Sequence, residues 1–136
     1  MASLLHYDGG SGLMVDSNVW IDCMDASSPW HNWAIDQLQV CNDQGVLHIN
    51  ALIYAQLLVP GSPADLIDNM PAVYETQRSA LPWVSAALAV QAFQLYWERG
   101  GSKTAPLPDF FIGAQAAVAS LTVLTRINPY RSFLPA

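Results

Sequence analysis

Apolar positions along the chain fall into two kinds of pattern. Leu13-Met14-Val15, Val46-Leu47-His48-Ile49 and Thr122-Val123-Leu124 are short, nearly unbroken apolar runs bounded by turn residues. Runs of that kind predict parallel strands buried on both faces. Ala80-Leu81-Pro82 reads as a further strand, and Phe133-Leu134 as the start of a last one. Between the runs, apolar residues recur at helical spacing. Val19-Trp20-Ile21 continues from Asp16-Ser17-Asn18 as a short helix. Ser27-Ser28-Pro29 supplies a capping serine and a first-turn proline for a second helix, along which Trp30, Trp33, Ala34, Gln37, Leu38 and Cys41 recur before Gly45 closes it.

Asn50 can cap a helix over 51–59, and Pro60-Gly61-Ser62-Pro63 is the clearest loop. A helix from Ala64 to about Gln77 is expected in spite of Pro71. Ser85 to Arg99 reads as a long helix, with Ala86, Ala89, Val90, Phe93 and Trp97 on its apolar face. The last helix is expected from Asp109 to Ala119. Strands alternating with helices predict an α/β domain with a parallel sheet. The glycine-rich stretch ending at Gly12 reads as a flexible leader, so residues 1–12 are set apart from a single domain over 13–136.

Composition narrows the function classes. The 136 residues are 52% hydrophobic and 12% charged, a balance that buries a core and argues against disorder. Two cysteines, Cys23 and Cys41, make no disulfide framework, and with no signal peptide in view a reduced, cytoplasmic protein is expected. No apolar run approaches the ~18 residues of a membrane span. Five Lys and Arg against eleven Asp and Glu leave no basic stripe for nucleic acid. A nucleic acid could then be met only at a local site, through bound cations.

Ligands of open α/β sheets sit outside the carboxyl ends of the strands. There the chain places Asp16, after the first strand, and Thr125-Arg126 with Asn128 close behind, after the fourth. Gln56 follows the second strand on its helix, and Asp109 opens a helix after Pro108. Two carboxylates at one edge could seat a hard divalent cation. Each also has a plainer role: Asp16 as a cap, Asp109 as a helix-dipole residue, and Gln56 as an interior amide. Asp22 reads as a surface residue or an outer carboxylate. Gly100-Gly101-Ser102-Lys103-Thr104 lacks the glycine of a phosphate loop and follows a helix, leaving Lys103 as a loop cation. His6, His31 and His48 show no ligand spacing.

Four stretches together resemble the PIN domain, specifically the toxin ribonucleases of VapBC toxin–antitoxin pairs. They are Met14 to Asp22, Ile49 to Leu57, Leu107 to Ala114, and Leu124-Thr125-Arg126 with Tyr130 to Phe133. The resemblance implies a PIN-like three-layer sandwich, a small parallel sheet flanked by helices. It implies a Mg²⁺- or Mn²⁺-dependent endoribonuclease with Asp16 and Asp109 as metal ligands, Gln56 and Asn128 as neutral site residues, and Ser17, Asn18 and Thr125 in support. It also implies an RNA substrate, an antitoxin protein as partner and a homodimer, with Trp30, Trp33, Leu52 and Tyr54 as a docking surface. The pattern departs at two places: Gln56 stands where the family carries glutamate, and Ile127 where it carries aspartate. A partly degenerate site of weak activity is therefore expected, the alternative being a non-catalytic PIN-fold protein that binds RNA or an antitoxin.

Overall fold

The computed structural model describes residues 3–4, 12–58, 74, 76–100 and 107–126. In chain order these form strand β1 (Ser3–Leu4), strand β2 (Leu13–Val15), helix α1 (Ser17–Met24), helix α2 (His31–Gln44), strand β3 (Leu47–Ile49), helix α3 (Ala51–Leu57), strand β4 (Gln77–Arg78), helix α4 (Val84–Glu98), helix α5 (Leu107–Val118) and strand β5 (Thr122–Thr125). The sheet order is β1-β5-β2-β3-β4. β5, β2, β3 and β4 run parallel, and β1 joins β5 antiparallel at the edge.

The unbroken apolar run of β2 has the meaning its pattern suggests. Successive strand residues face opposite sides, and Leu13, Met14 and Val15 are all fully buried, so both faces of the sheet are covered. Around β2, Val19, Trp20, Leu38, Ile53 and Ile112 complete the main core. A second cluster joins α4 to α5 through Ala89, Ala92, Phe110 and Ala114. There the Phe110 ring meets Phe93 edge-on at 5.3 Å and Tyr96 at 5.5 Å.

Five expectations shift. Ser3–Leu4, in the stretch set apart as a leader, pairs with Thr125 and Leu124. Gly12 is also structural: it sits at φ +107, and a Cβ there would stand 2.7 Å from the Val46 carbonyl oxygen. The strand expected at 80–82 lies at Gln77–Arg78, because the Ala80 carbonyl is taken by the Gln115 side chain and Pro82 has no N–H for a ladder. α2 begins at His31, since Ser28 Oγ accepts from Trp30 N within the preceding turn. On α4 the buried line is Ser85, Ala89 and Ala92 with Leu88, Phe93 and Tyr96 beside it, whereas Val90 and Trp97 face out. Small side chains on that line let α4 close on α5. Gln77 ends the expected 64–77 helix as a strand residue, while the rest of that helix except Tyr74 and Thr76, together with Phe133-Leu134, lies outside the described residues.

Candidate active site

Strand order creates the site. From β2 the chain moves to β3 and β4 on one side, then returns to place β5 on the other. The crevice beyond the carboxyl ends of β2 and β5 is thus a topological switch point, where open α/β sheets bind ligands. Asp16 follows β2 and Thr125 ends β5.

Asp16 is the N-cap of α1 and only 4% exposed. Its Oδ1 accepts from Ser17 N at 2.7 Å, and the Ser17 hydroxyl donates as well. Its Oδ2 accepts from Thr125 Oγ1 at 3.0 Å and Asn18 Nδ2 at 3.2 Å. Burial nevertheless prevails over these bonds and pushes the Asp16 carboxyl above its ordinary value. Asp109 lies in the first turn of α5. Burial, and then the charge of Asp16, push Asp109 up to about 6, against a hydrogen bond from Gln56 that favours its anion. The Asp16 charge and the Gln56 hydrogen bond both act on Asp109, so the three side chains are neighbours.

Gln56 thus donates its amide to Asp109, while its Oε1 is buried and meets no hydrogen-bond donor. Two carboxylates that repel each other, beside an orphaned amide oxygen, are donors of the kind a hard divalent cation takes. Among the described residues no group of three or more His, Cys, Asp or Glu gathers. Asn128 lies outside the described residues, as does Lys103.

Ser17, Asn18 and Thr125 stand where the sequence places them, around Asp16. Of the two readings of Asp22, the surface one is corrected: Asp22 is buried, and its Oδ2 pairs with Arg126 Nε at 2.6 Å. A second carboxylate-side amide was also hidden: Gln115 on α5 accepts from Asn50 Nδ2 at 2.7 Å and donates to Ala80 O at 3.0 Å. Its signal is a lone polar residue in the run Phe110 to Val118. Asn50 caps α3 at Ile53 N, so one buried network sets α3, which carries Gln56, against α5, which carries Asp109. Both described histidines have structural partners, His31 Nδ1 with Asp22 O and His48 Nδ1 with Ser79 Oγ.

Of the residues suggested for a docking surface, Trp30 and Trp33 are half-buried against each other at 5.8 Å, Leu52 is half-buried, and Tyr54 packs on the core beneath Arg78. Large exposed apolar side chains also sit at α4, with Trp83 93% exposed beside Val84.

No family model and no curated protein matches the sequence. Solved structures do. VapBC2 of Rickettsia felis, bound to a DNA fragment from its promoter, superposes with a TM-score of 0.67 at 12% identity, covering 89% of this chain and 92% of that one. The fold is that of a PIN domain. Two further PIN-fold likenesses agree. VapC20 of Mycobacterium tuberculosis, a toxin that cleaves the sarcin-ricin loop, gives a TM-score of 0.57 at 16% identity, over 81% of this chain and 85% of that one. FitAB bound to a DNA fragment gives 0.55 at 16% identity, over 87% and 95%. No helix among the described residues is long and apolar enough to cross a membrane.

Proposed function

We propose that the protein is a metal-dependent endoribonuclease of the toxin type, of reduced activity, whose partner is an antitoxin protein. The observation that carries this reading is the meeting of Asp16 and Asp109 beside the orphaned Gln56 oxygen, on a fold like that of an RNA-cleaving toxin. The antitoxin rests on the likeness to VapBC2 and FitAB, and a homodimer follows from the same family resemblance.

Asp16 and Asp109 would hold Mg²⁺ or Mn²⁺, with Gln56 Oε1 as a neutral oxygen donor. When bound, such an ion supplies Lewis acidity, offsetting negative charge that builds on a phosphodiester and acidifying water near it. The protein's own residues do the rest. Ser17, Asn18 and Thr125 hold the Asp16 carboxylate in one orientation through four neutral hydrogen bonds. Gln56 donates a hydrogen bond to Asp109 that favours its anion. An amide in place of a third anion lowers the attraction for the ion, which is the reason for reduced rather than full activity. Asn128 would add another neutral oxygen.

Mn²⁺ titration of the purified protein, together with cleavage of a fluorescent single-stranded RNA, tests the reading. Saturable Mn²⁺ binding and slow cleavage are expected, both lost in Asp16→Ala. Binding weaker than millimolar with no cleavage favours the non-catalytic alternative.

A further inference from the structure

Arg126 grips α1 at two points one turn apart. Its backbone N–H donates to Asn18 Oδ1 at 3.1 Å, and its guanidinium meets Asp22 through Nε at 2.6 Å and Nη2 at 3.4 Å. Asn18 and Asp22 are four residues apart and so share one face of the helix. The second grip is braced. Ser28 Oγ donates to Asp22 Oδ1 at 2.9 Å, and the guanidinium lies 5.5 Å over the Trp30 ring. The first grip leads straight to the site. With its oxygen committed to the Arg126 N–H, the Asn18 amide can present only its nitrogen to the other side. There it donates to Asp16 Oδ2 at 3.2 Å and to Thr125 Oγ1 at 3.0 Å. Thr125 Oγ1, having accepted from Asn18, spends its own proton on Asp16 Oδ2. With the Asn18 oxygen held by the Arg126 N–H, its nitrogen is the end that faces Asp16 and Thr125, so the orientation is passed from Arg126 to Asp16.

We propose that Arg126 is a positioning residue for Asp16: its guanidinium, locked to Asp22, keeps its backbone N–H on Asn18, and Asn18 with Thr125 then fixes the Asp16 carboxylate opposite Asp109. The proposal rests on the functional reading above only for what Asp16 binds, and its test separates the two. Without metal, the readout is hydrogen exchange of the Asn18 side-chain amide by NMR. With metal, it is the Mn²⁺ dissociation constant by EPR, each on wild type, Arg126→Met and Arg126→Lys.

Arg126→Met is expected to speed Asn18 amide exchange at least about tenfold and to weaken Mn²⁺ about tenfold, as loss of an outer partner does at metal sites. Arg126→Lys, which still reaches Asp22 with a charge, restores most of both. Asp109→Asn abolishes Mn²⁺ binding and leaves Asn18 protected. If Arg126→Met does not fold, Asp22→Asn is read by the same two criteria. A folded variant lacking the Arg126–Asp22 pair whose Asn18 exchange and Mn²⁺ affinity both stay within about twofold of wild type overturns the proposal. A wild-type protein that takes up no Mn²⁺ overturns the functional reading instead, and Asn18 exchange then decides the role of Arg126 alone.

Discussion

Asp16 and Asp22 stand six residues apart at the two ends of the same short helix, and each is 4% exposed. Their surroundings differ in kind. Asp22 is met by the Arg126 guanidinium and the Ser28 hydroxyl. The hydrogen bonds that reach Asp16 come from neutral groups, and its charged neighbour is a second carboxylate, Asp109. Burying a carboxylate is costly unless a cation meets it, and among the described residues a cation meets Asp22 and none is seen at Asp16. At the Asp16 end the fold builds a firm cradle around an anion and adds another anion beside it. The first arrangement closes a structure. The second leaves two acids close together, with no cation beside them among the described residues.

Removing the cation from the closed end should produce the largest change. Arg126→Met leaves Asp22 buried without its partner and is expected to cost about 3 kcal/mol, toward the lower end for a broken buried pair because the arginine is partly exposed. Denaturant unfolding measures it. Asp22→Leu combined with Arg126→Met should recover most of the loss, since the penalty lies in the unpaired charge. Equal losses in the single and double variants would show that packing, not charge, holds this end.

The open end should respond with the opposite sign. Asp109→Asn removes one of two repelling groups, so the metal-free protein at pH 7.5 is expected to gain about 1 kcal/mol while losing Mn²⁺ affinity, the trade-off of a site strained for function. The pH dependence follows from the direction of the shift. Burial and the Asp16 charge push Asp109 up to about 6 in the folded protein, from an ordinary value of 3.8, so between those values the folded state keeps a proton the unfolded chain has released. Its contribution favours folding at low pH and is lost as pH rises through about 6. The gain from Asp109→Asn should therefore shrink as pH falls below about 6 and be largely gone near pH 4, and Mn²⁺ should bind wild type more weakly below about pH 6 because protons compete. Gln56→Glu pushes the same way further: a third anion should lower metal-free stability at neutral pH and tighten Mn²⁺ by about tenfold. Thermal melts with and without Mn²⁺ read all three.

The open end was the legible one. Asp16 ends an apolar run and starts a helix, so strand, turn and cap signals coincide at one residue, and Asn18 and Thr125 follow from the same motifs. The closed end was not. Asp22 and Arg126 are 104 residues apart, and nothing local in either stretch says which acid a distant arginine will meet. Asp22 also falls in a short helix with three polar or small residues beside it, Ser17, Asn18 and Cys23, where exposure is the natural expectation. Ser3–Leu4 and Gln77–Arg78 escaped for a different reason. Two-residue strands carry no periodicity, and their place is set by backbone pairing with β5 and β3. The inward face of α4 was misjudged because its buried line is made of small residues, Ser85, Ala89 and Ala92, which hydrophobic periodicity hardly registers.

The smallest expected effect probes whether the closed end depends on its hydroxyl as well as its cation. Ser28 Oγ donates to Asp22 Oδ1 at 2.9 Å and accepts from Trp30 N at 3.1 Å, tying the buried acid to the turn that opens α2. Ser28→Ala loses both bonds, but Asp22 keeps Nε of Arg126 at 2.6 Å. The cost should be about 1 kcal/mol, that of a modest capping contact rather than of an unpaired charge. If the loss instead equals that of Arg126→Met, the hydroxyl is what orients the pair, and the contrast between the two ends of α1 is one of hydrogen bonding rather than of charge.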